Sequence, residues 1–168
     1  MVILSPLRYL ASAFSAQNSP RQLALGFALG AVIGLVPKGN LTAMVLMMLL
    51  FAFRVNLGAG LLGAFVFSWI AVLTDPIAHQ VGQSLLTAEP LKSIWTALYD
   101  MPVVPWTAFN NTLVLGSFLL GLAAFYPICR LSEPIWTRYW PPLQNRLRKF
   151  RVVKLLWGAQ ITTTLGSH

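Results

Sequence analysis

The chain has 168 residues, 57% of them hydrophobic and only 10% charged, with a mean hydropathy of +0.68. A water-soluble domain carries about a quarter charged residues, so this composition excludes an ordinary soluble enzyme and points to an all-α integral membrane protein. The balance is basic, twelve Lys and Arg against the four acids Asp75, Glu89, Asp100 and Glu133, and the charges flank apolar runs. That arrangement favours anionic lipid over nucleic acid as the partner. A single cysteine, Cys129, excludes an internal disulfide and a Cys-rich metal site.

Residues 1–19 form a first segment. It is not read as a cleavable signal: the start has no basic cluster and Ser5-Pro6 interrupts the apolar core. Leu7, Leu10 and Phe14 share one face of an interfacial helix. The membrane domain follows over residues 20–130. Ser19-Pro20 starts a helix, a capping hydroxyl before a proline at the first helical position. The apolar runs 23–36 and 41–53 hold 14 and 13 residues, and the longer reaches only about 21 Å of a ~30 Å hydrocarbon core. Between them lies the helix-breaking Pro37-Lys38-Gly39-Asn40, and Arg54-Val55-Asn56 ends the second run. Residues 20–54 therefore suit a re-entrant hairpin, with two thin full spans as the alternative. Residues 57–74 can cross. Asp75-Pro76 is expected to cap and start a new helix, and 75–106 reads as a periplasmic segment broken by Glu89-Pro90, Asp100-Met101-Pro102 and Pro105-Trp106, with Trp95, Tyr99 and Trp106 at the interface. Residues 112–129 form the second span. The chain thus has two full spans plus the hairpin, or four spans.

Residues 131–168 read as a basic tail. Arg146, Arg148, Lys149, Arg151 and Lys154 alternate with Leu143, Leu147, Phe150 and Trp157 at helical spacing, as in an amphipathic helix held on an anionic lipid surface. Seven basic residues follow the second span and only Lys92 lies in 75–106, so the positive-inside rule puts both termini in the cytoplasm of a multi-pass inner-membrane protein.

Few residues offer chemistry. Gly26, Gly30 and Gly34 make a small-residue stripe for close helix packing, and Gly58, Gly60 and Gly63 offer an opposing surface. Lys38 at membrane depth needs a partner or a wet cavity, whereas at an interface it would only snorkel. Asn40 can cap the second arm, and Asn40 and Thr42 add polar groups to the turn. Val104-Pro105-Trp106 followed by Asn110-Asn111-Thr112 repeats the proline-then-asparagine order of the first break, as in transporters built from inverted repeats. The candidate ligand site is thus Lys38, Asn40, Thr42, Asn110, Asn111 and Thr112. Asp75 and His79, four apart, form a relay pair or a cap beside an interfacial histidine. No catalytic grouping, metal cluster or cofactor motif is visible in the sequence, and no enzyme is expected.

The run Gly26-Phe27-Ala28-Leu29-Gly30, continued by Gly34-Leu35-Val36-Pro37-Lys38-Gly39-Asn40-Leu41-Thr42 and Arg54-Val55-Asn56, resembles a small bacterial inner-membrane family, the domain of unknown function numbered twenty sixty-two. So do Phe67-Ser68-Trp69, Asp75-Pro76, Pro105-Trp106-Thr107 and Phe109-Asn110-Asn111-Thr112. The resemblance covers roughly residues 20–128, and the Pro-Lys-Gly-Asn turn suggests a subgroup. It implies an envelope setting in bacteria with outer membranes, with some members fused to glycosyltransferase domains, and it supplies no catalytic residues. The leading expectation is a component that binds or translocates an anionic lipid or envelope precursor at the hairpin tip. The alternative is a non-catalytic anchor or scaffold of an envelope complex, acting as a homo-oligomer or with another membrane protein. An intramembrane enzyme would require Asp75 and His79 to face the tip.

Overall fold

The computed structural model describes residues 19–147, with side chains placed as far as Pro142. The expected interfacial helix at 7–14 and the basic residues Arg148, Lys149, Arg151 and Lys154 lie outside the described residues, and of Arg146 only the helical backbone is described. Within 19–147 there are five α-helices: α1 (Pro20–Leu35), α2 (Leu41–Ala52), α3 (Leu57–Leu86), α4 (Lys92–Tyr99) and α5 (Thr112–Leu147). Short 3-10 turns at Glu89–Leu91 and Val104–Thr107 flank α4.

Local chemistry sets the starts. Ser19 Oγ accepts from Gln22 N–H at 3.3 Å, and the Gln22 side chain accepts from Ser19 N–H at 3.0 Å, a reciprocal capping box ahead of Pro20. Asn40, Asn56 and Asn111 each accept from backbone N–H groups of the helix that follows, so one residue type opens α2, α3 and α5.

A helix too short to cross a membrane forms the centre of the protein. Most of α1 is buried on all sides, from Leu23 to Leu35, and a helix that is apolar all round belongs in an interior. α3 lies along it in the same direction: Gly26 faces Asn56, Gly30 faces Gly60 and Ala64, and Gly34 faces Ala64 and Phe67. A Cβ on Gly30 would collide with the Gly60 carbonyl oxygen, and one on Gly63 would collide with that of Phe27, so the two backbones touch. α5 runs the other way, with Gly121 against Val32, and Trp136 and Trp140 against Leu23, Phe27 and Ala59. α2 folds back beside α1 and buries only Ala43, Leu46 and Leu50. The chain returns to its starting level at Asn56, whose N–H donates to the Gln22 carbonyl at 3.3 Å. Residues 20–54 thus form a hairpin whose tip stands beside Ser68, the twelfth residue of α3.

Two helices are long and apolar enough to cross a membrane, Leu57–Leu86 and the stretch Thr112–Pro142 of α5. Only 28% and 22% of their most apolar windows are buried, whereas a soluble core helix would be mostly covered. Leu62, Phe65, Trp69, Val72, Leu73, Leu122 and Tyr126 face outward, as lipid-bathed side chains do.

Two boundaries differ from expectation. Asp75-Pro76 does not start a helix; α3 runs straight through to Leu86. The proline removes one N–H, and the Thr74 hydroxyl bonds the carbonyls of Ile70 and Ala71 at 3.4 and 3.2 Å just before it, so the helix continues. Likewise α5 does not stop at 129 but continues through Pro127, Pro134, Pro141 and Pro142. Prolines seven apart kink a helix toward nearly the same side, and Trp136 and Trp140, edge-to-face, hold the later turns on the first turns of α1 and α3.

Gly30→Ala is expected to lower stability by about 2–3 kcal/mol, because backbone must move to admit the methyl group. Gly39→Ala, at a φ of 93° with open space around it, should cost about 1 kcal/mol of backbone strain. Thermal unfolding in detergent, compared with the parent chain, checks the order.

Candidate functional site

The tip is built from the end of α1 and the start of α2. Gly34 brings α1 so close to α3 that the chain emerges beside Ser68, and Pro37 prevents the helix from continuing. Lys38 then turns back: its Nζ donates to the Gly34 carbonyl at 2.7 Å and to Ser68 Oγ at 3.0 Å. Ser68 Oγ donates in turn to the Ala64 carbonyl at 2.6 Å. The ammonium therefore caps the C-terminal end of α1, where the helix dipole favours a cation. Both of its hydrogen-bond acceptors are neutral. The nearest opposite charge acting on it is Asp75, two turns further along α3 than Ser68, or about 10 Å along the axis, and the pair is not in ion-pair contact.

Asn40 is consumed by structure. Its Oδ1 accepts from Ala43 N–H at 2.9 Å and its Nδ2 donates to the Pro37 carbonyl at 2.8 Å, so it locks the turn around Gly39. Thr42 Oγ1 donates to the Thr107 carbonyl at 2.9 Å, tying the hairpin to the 3-10 turn that arrives from the far end of α3. Beside this tie an open groove of about 510 Å³ runs between Gly39, Asn40, Leu41 and Met44 on the hairpin and Pro102, Val103 and Trp106 on the loop. Its walls are mostly hydrocarbon. Trp106, 76% exposed, stands at its edge.

The other expected site residues lie elsewhere. Asn111 Oδ1 accepts from Leu113 N–H at 2.9 Å and from Val114 N–H at 3.4 Å, capping α5. Thr112 Oγ1 is 2.6 Å from His79 Nδ1 on α3. Asn110 is exposed in the turn before α5. The six residues thus divide into a tip set, Lys38, Asn40 and Thr42, and an α5 set, Asn111 and Thr112, with Asn110 leading into it. The two breaks do meet, through Thr42 and Thr107 instead of through their asparagines.

Sequence reasoning did not assemble the groove wall or assign Ser68 to Lys38. Ser68 carries a signal, a hydroxyl in the middle of an apolar span, but its partner is 30 residues away. Met44, Pro102 and Val103 carry none, since an apolar side chain in an apolar sequence does not announce a groove.

The fold and site define an all-helical protein with two helices of membrane-crossing length around a half-length central hairpin. The chain belongs to the family described as an uncharacterized protein conserved in bacteria (DUF2062), which it matches over residues 6–140. It is similar to an uncharacterized protein of Treponema pallidum (strain Nichols), with 29% identity over 146 residues covering 87% of this chain and 90% of that one. No solved structure matches it.

Asn40→Ala removes a cap and a turn brace together and is expected to cost about 1–2 kcal/mol, whereas Asn110→Ala should change stability by less than about 0.5 kcal/mol. Chemical or thermal unfolding of the two variants separates these roles.

Proposed function

We propose that this is an inner-membrane protein that binds, and helps to move, an anionic lipid or a lipid-linked envelope precursor. The headgroup sits at Lys38 and an apolar chain lies in the adjoining groove. The observation that carries the reading is a cation whose hydrogen bonds go only to neutral oxygens, one residue before Gly39 in the wall of an apolar groove that opens outward. A cation in a low-dielectric setting gains most from an anion brought to it, and a charge-assisted contact is worth about 1.5–3 kcal/mol.

In this reading the hairpin is re-entrant. Ser68 lies about 17 Å along α3 from its start, near half of a ~30 Å hydrocarbon core. Arg21, Arg54, Arg130 and Arg138 sit toward the end of the bundle where α1 and α3 begin, which supports a cytoplasmic location for that end, with residues 87–111 periplasmic. For the alternative of a scaffold subunit, Gly26, Gly30 and Gly34 offer no outward docking stripe, because they pack on α3 within the same chain.

Two measurements test the reading. Lys38→Gln should weaken phosphatidylglycerol binding about tenfold or more relative to phosphatidylcholine, read by native mass spectrometry, while Lys38→Arg retains it. Equal binding by Lys38→Gln defeats the proposal. In a Cys129→Ala background, a cysteine at position 94 should react with an impermeant maleimide from the periplasm and one at position 39 should not; free labelling at 39 removes the re-entrant arrangement.

A further inference from the structure

On the face of α3 that carries Ser68, two more polar residues follow at helical spacing, Asp75 seven positions on and His79 four beyond that. The same face meets Lys38 at one end, through Ser68, and Thr112 at the other, through His79. The contact at the far end is fixed by backbone: a Cβ on Gly82 would collide with the Thr112 carbonyl oxygen, and one on Gly116 with that of Ala78, so α3 and α5 touch there and hold Thr112 against the imidazole. The result is a line of three ionisable side chains, Lys38, Asp75 and His79, leading from the hairpin tip toward the loop end of the bundle.

The charges on this line set a simple constraint. With His79 neutral, Lys38 and Asp75 cancel. With His79 protonated, the line carries one excess positive charge. The excess positive charge attracts an anion to the line more strongly than the neutral line does. We propose that binding of a monovalent anionic headgroup at the tip is coupled to the uptake of one proton by His79, an inference that rests on the lipid-binding reading of Lys38.

Asp75 is the intermediary. It acts on Lys38 from two turns away and stands one turn from His79, at the spacing where helical side chains of opposite charge pair. When the imidazole is neutral, the carboxylate's field is directed to Lys38 and offsets the pull of Lys38 on an incoming anion. When the imidazole takes a proton, Asp75 is neutralised by it and the ammonium is left for the headgroup. Histidine is the side chain whose charge ordinarily changes between pH 5 and 8. Thr112 suits both states, because its hydroxyl donates to an unprotonated Nδ1 and accepts from a protonated one.

Among the described residues no other titratable group forms an ion pair with this line. α2 has none, and the one charged residue of α1, Arg21, lies at the opposite end. On α5 the charged residues begin at Arg130, toward that same opposite end, and the titratable Tyr126 and Cys129 come only a few residues earlier. Of the groups that follow α3, Glu89 and Lys92 face each other at 3.9 Å, and Tyr99 and Asp100 close α4.

The test uses the full chain in neutral detergent and a short-chain phosphatidylglycerol, whose phosphate keeps one charge across the range. Calorimetry in buffers of different ionisation heat reads both affinity and proton uptake. The parent protein should bind about tenfold more tightly at pH 6 than at pH 8, with net proton uptake between. His79→Gln should keep the pH 8 affinity at both values and take up no proton. Asp75→Asn should bind more tightly at pH 8 than the parent, since the line then carries the excess charge without a proton. These two variants have opposite signs, so a general loss of folding cannot imitate both. Parent-like pH dependence in a folded His79→Gln, or no gain from a folded Asp75→Asn, overturns the coupling. If Lys38→Gln binds as the parent does, the headgroup site itself falls; if it loses binding while His79→Gln is unchanged, only the coupling falls.

Discussion

The structure depends on direct backbone contact between a sixteen-residue helix and the first half of a thirty-residue one. In lipid there is little hydrophobic gain from bringing two apolar helices together, so close packing must supply the attraction. Gly26, Gly30 and Gly34 on α1, with Gly63 opposite, remove the side chains that would hold the axes apart, and Gly60 leaves room for Leu50 of α2. The parallel course of the two helices then fixes where α1 ends. It ends beside Ser68, partway along α3, because the glycine stripe ends at Gly34 and Pro37 forbids another turn. Depth, polarity and exposure of the tip all follow from that termination.

A helix that ends partway along its neighbour leaves carbonyls without intrahelical partners at a level where the neighbour is apolar. Lys38 answers part of this need by folding back on the Gly34 carbonyl, and Ser68 gives the ammonium a second acceptor. The arrangement satisfies hydrogen bonding without neutralising charge. An apolar substitute for Lys38 would leave the carbonyl bare, whereas lysine satisfies it and leaves a positive charge to be balanced by Asp75 or by something from outside. The bonds that anchor the ammonium fix it against α1 and α3, one residue before Gly39 in the groove wall.

What could be read in the sequence was what local spacing encodes. Ser19-Pro20, Asn40 and the apolar runs mark helix starts and lengths, and glycines every fourth residue mark a packed face. Pairings across the chain were another matter. Of these only the glycine match was legible, Gly60 and Gly63 meeting α1 as the opposing surface, whereas nothing local pairs Lys38 with Ser68 or Thr42 with Thr107. Pro76 misled for a definite reason. In water a proline inside a helix frees a carbonyl that finds solvent, and the chain can turn. Here hydroxyls such as Thr74 and packing on neighbouring helices keep the axis going. The six polar residues grouped from sequence likewise divide in space because three of them, Asn40, Asn111 and Thr112, are occupied by caps and by His79.

The tie between Thr42 and Thr107 joins the two halves of this logic. The hairpin reaches the tip from the end of the bundle where α3 begins, and the Val104–Thr107 turn reaches it from the end where α3 finishes. Each break exposes backbone that needs a partner. Together they satisfy one another at a single hydroxyl-to-carbonyl bond and leave a groove where their apolar residues fail to close. Filling that groove with side chains from Met44, Val103 or Trp106 would require no unusual residue, yet Met44, Val103 and Trp106 all point outward enough to remain exposed. A gap kept open where two broken segments meet, one residue from Lys38, suits the proposed entry of a chain-bearing anion.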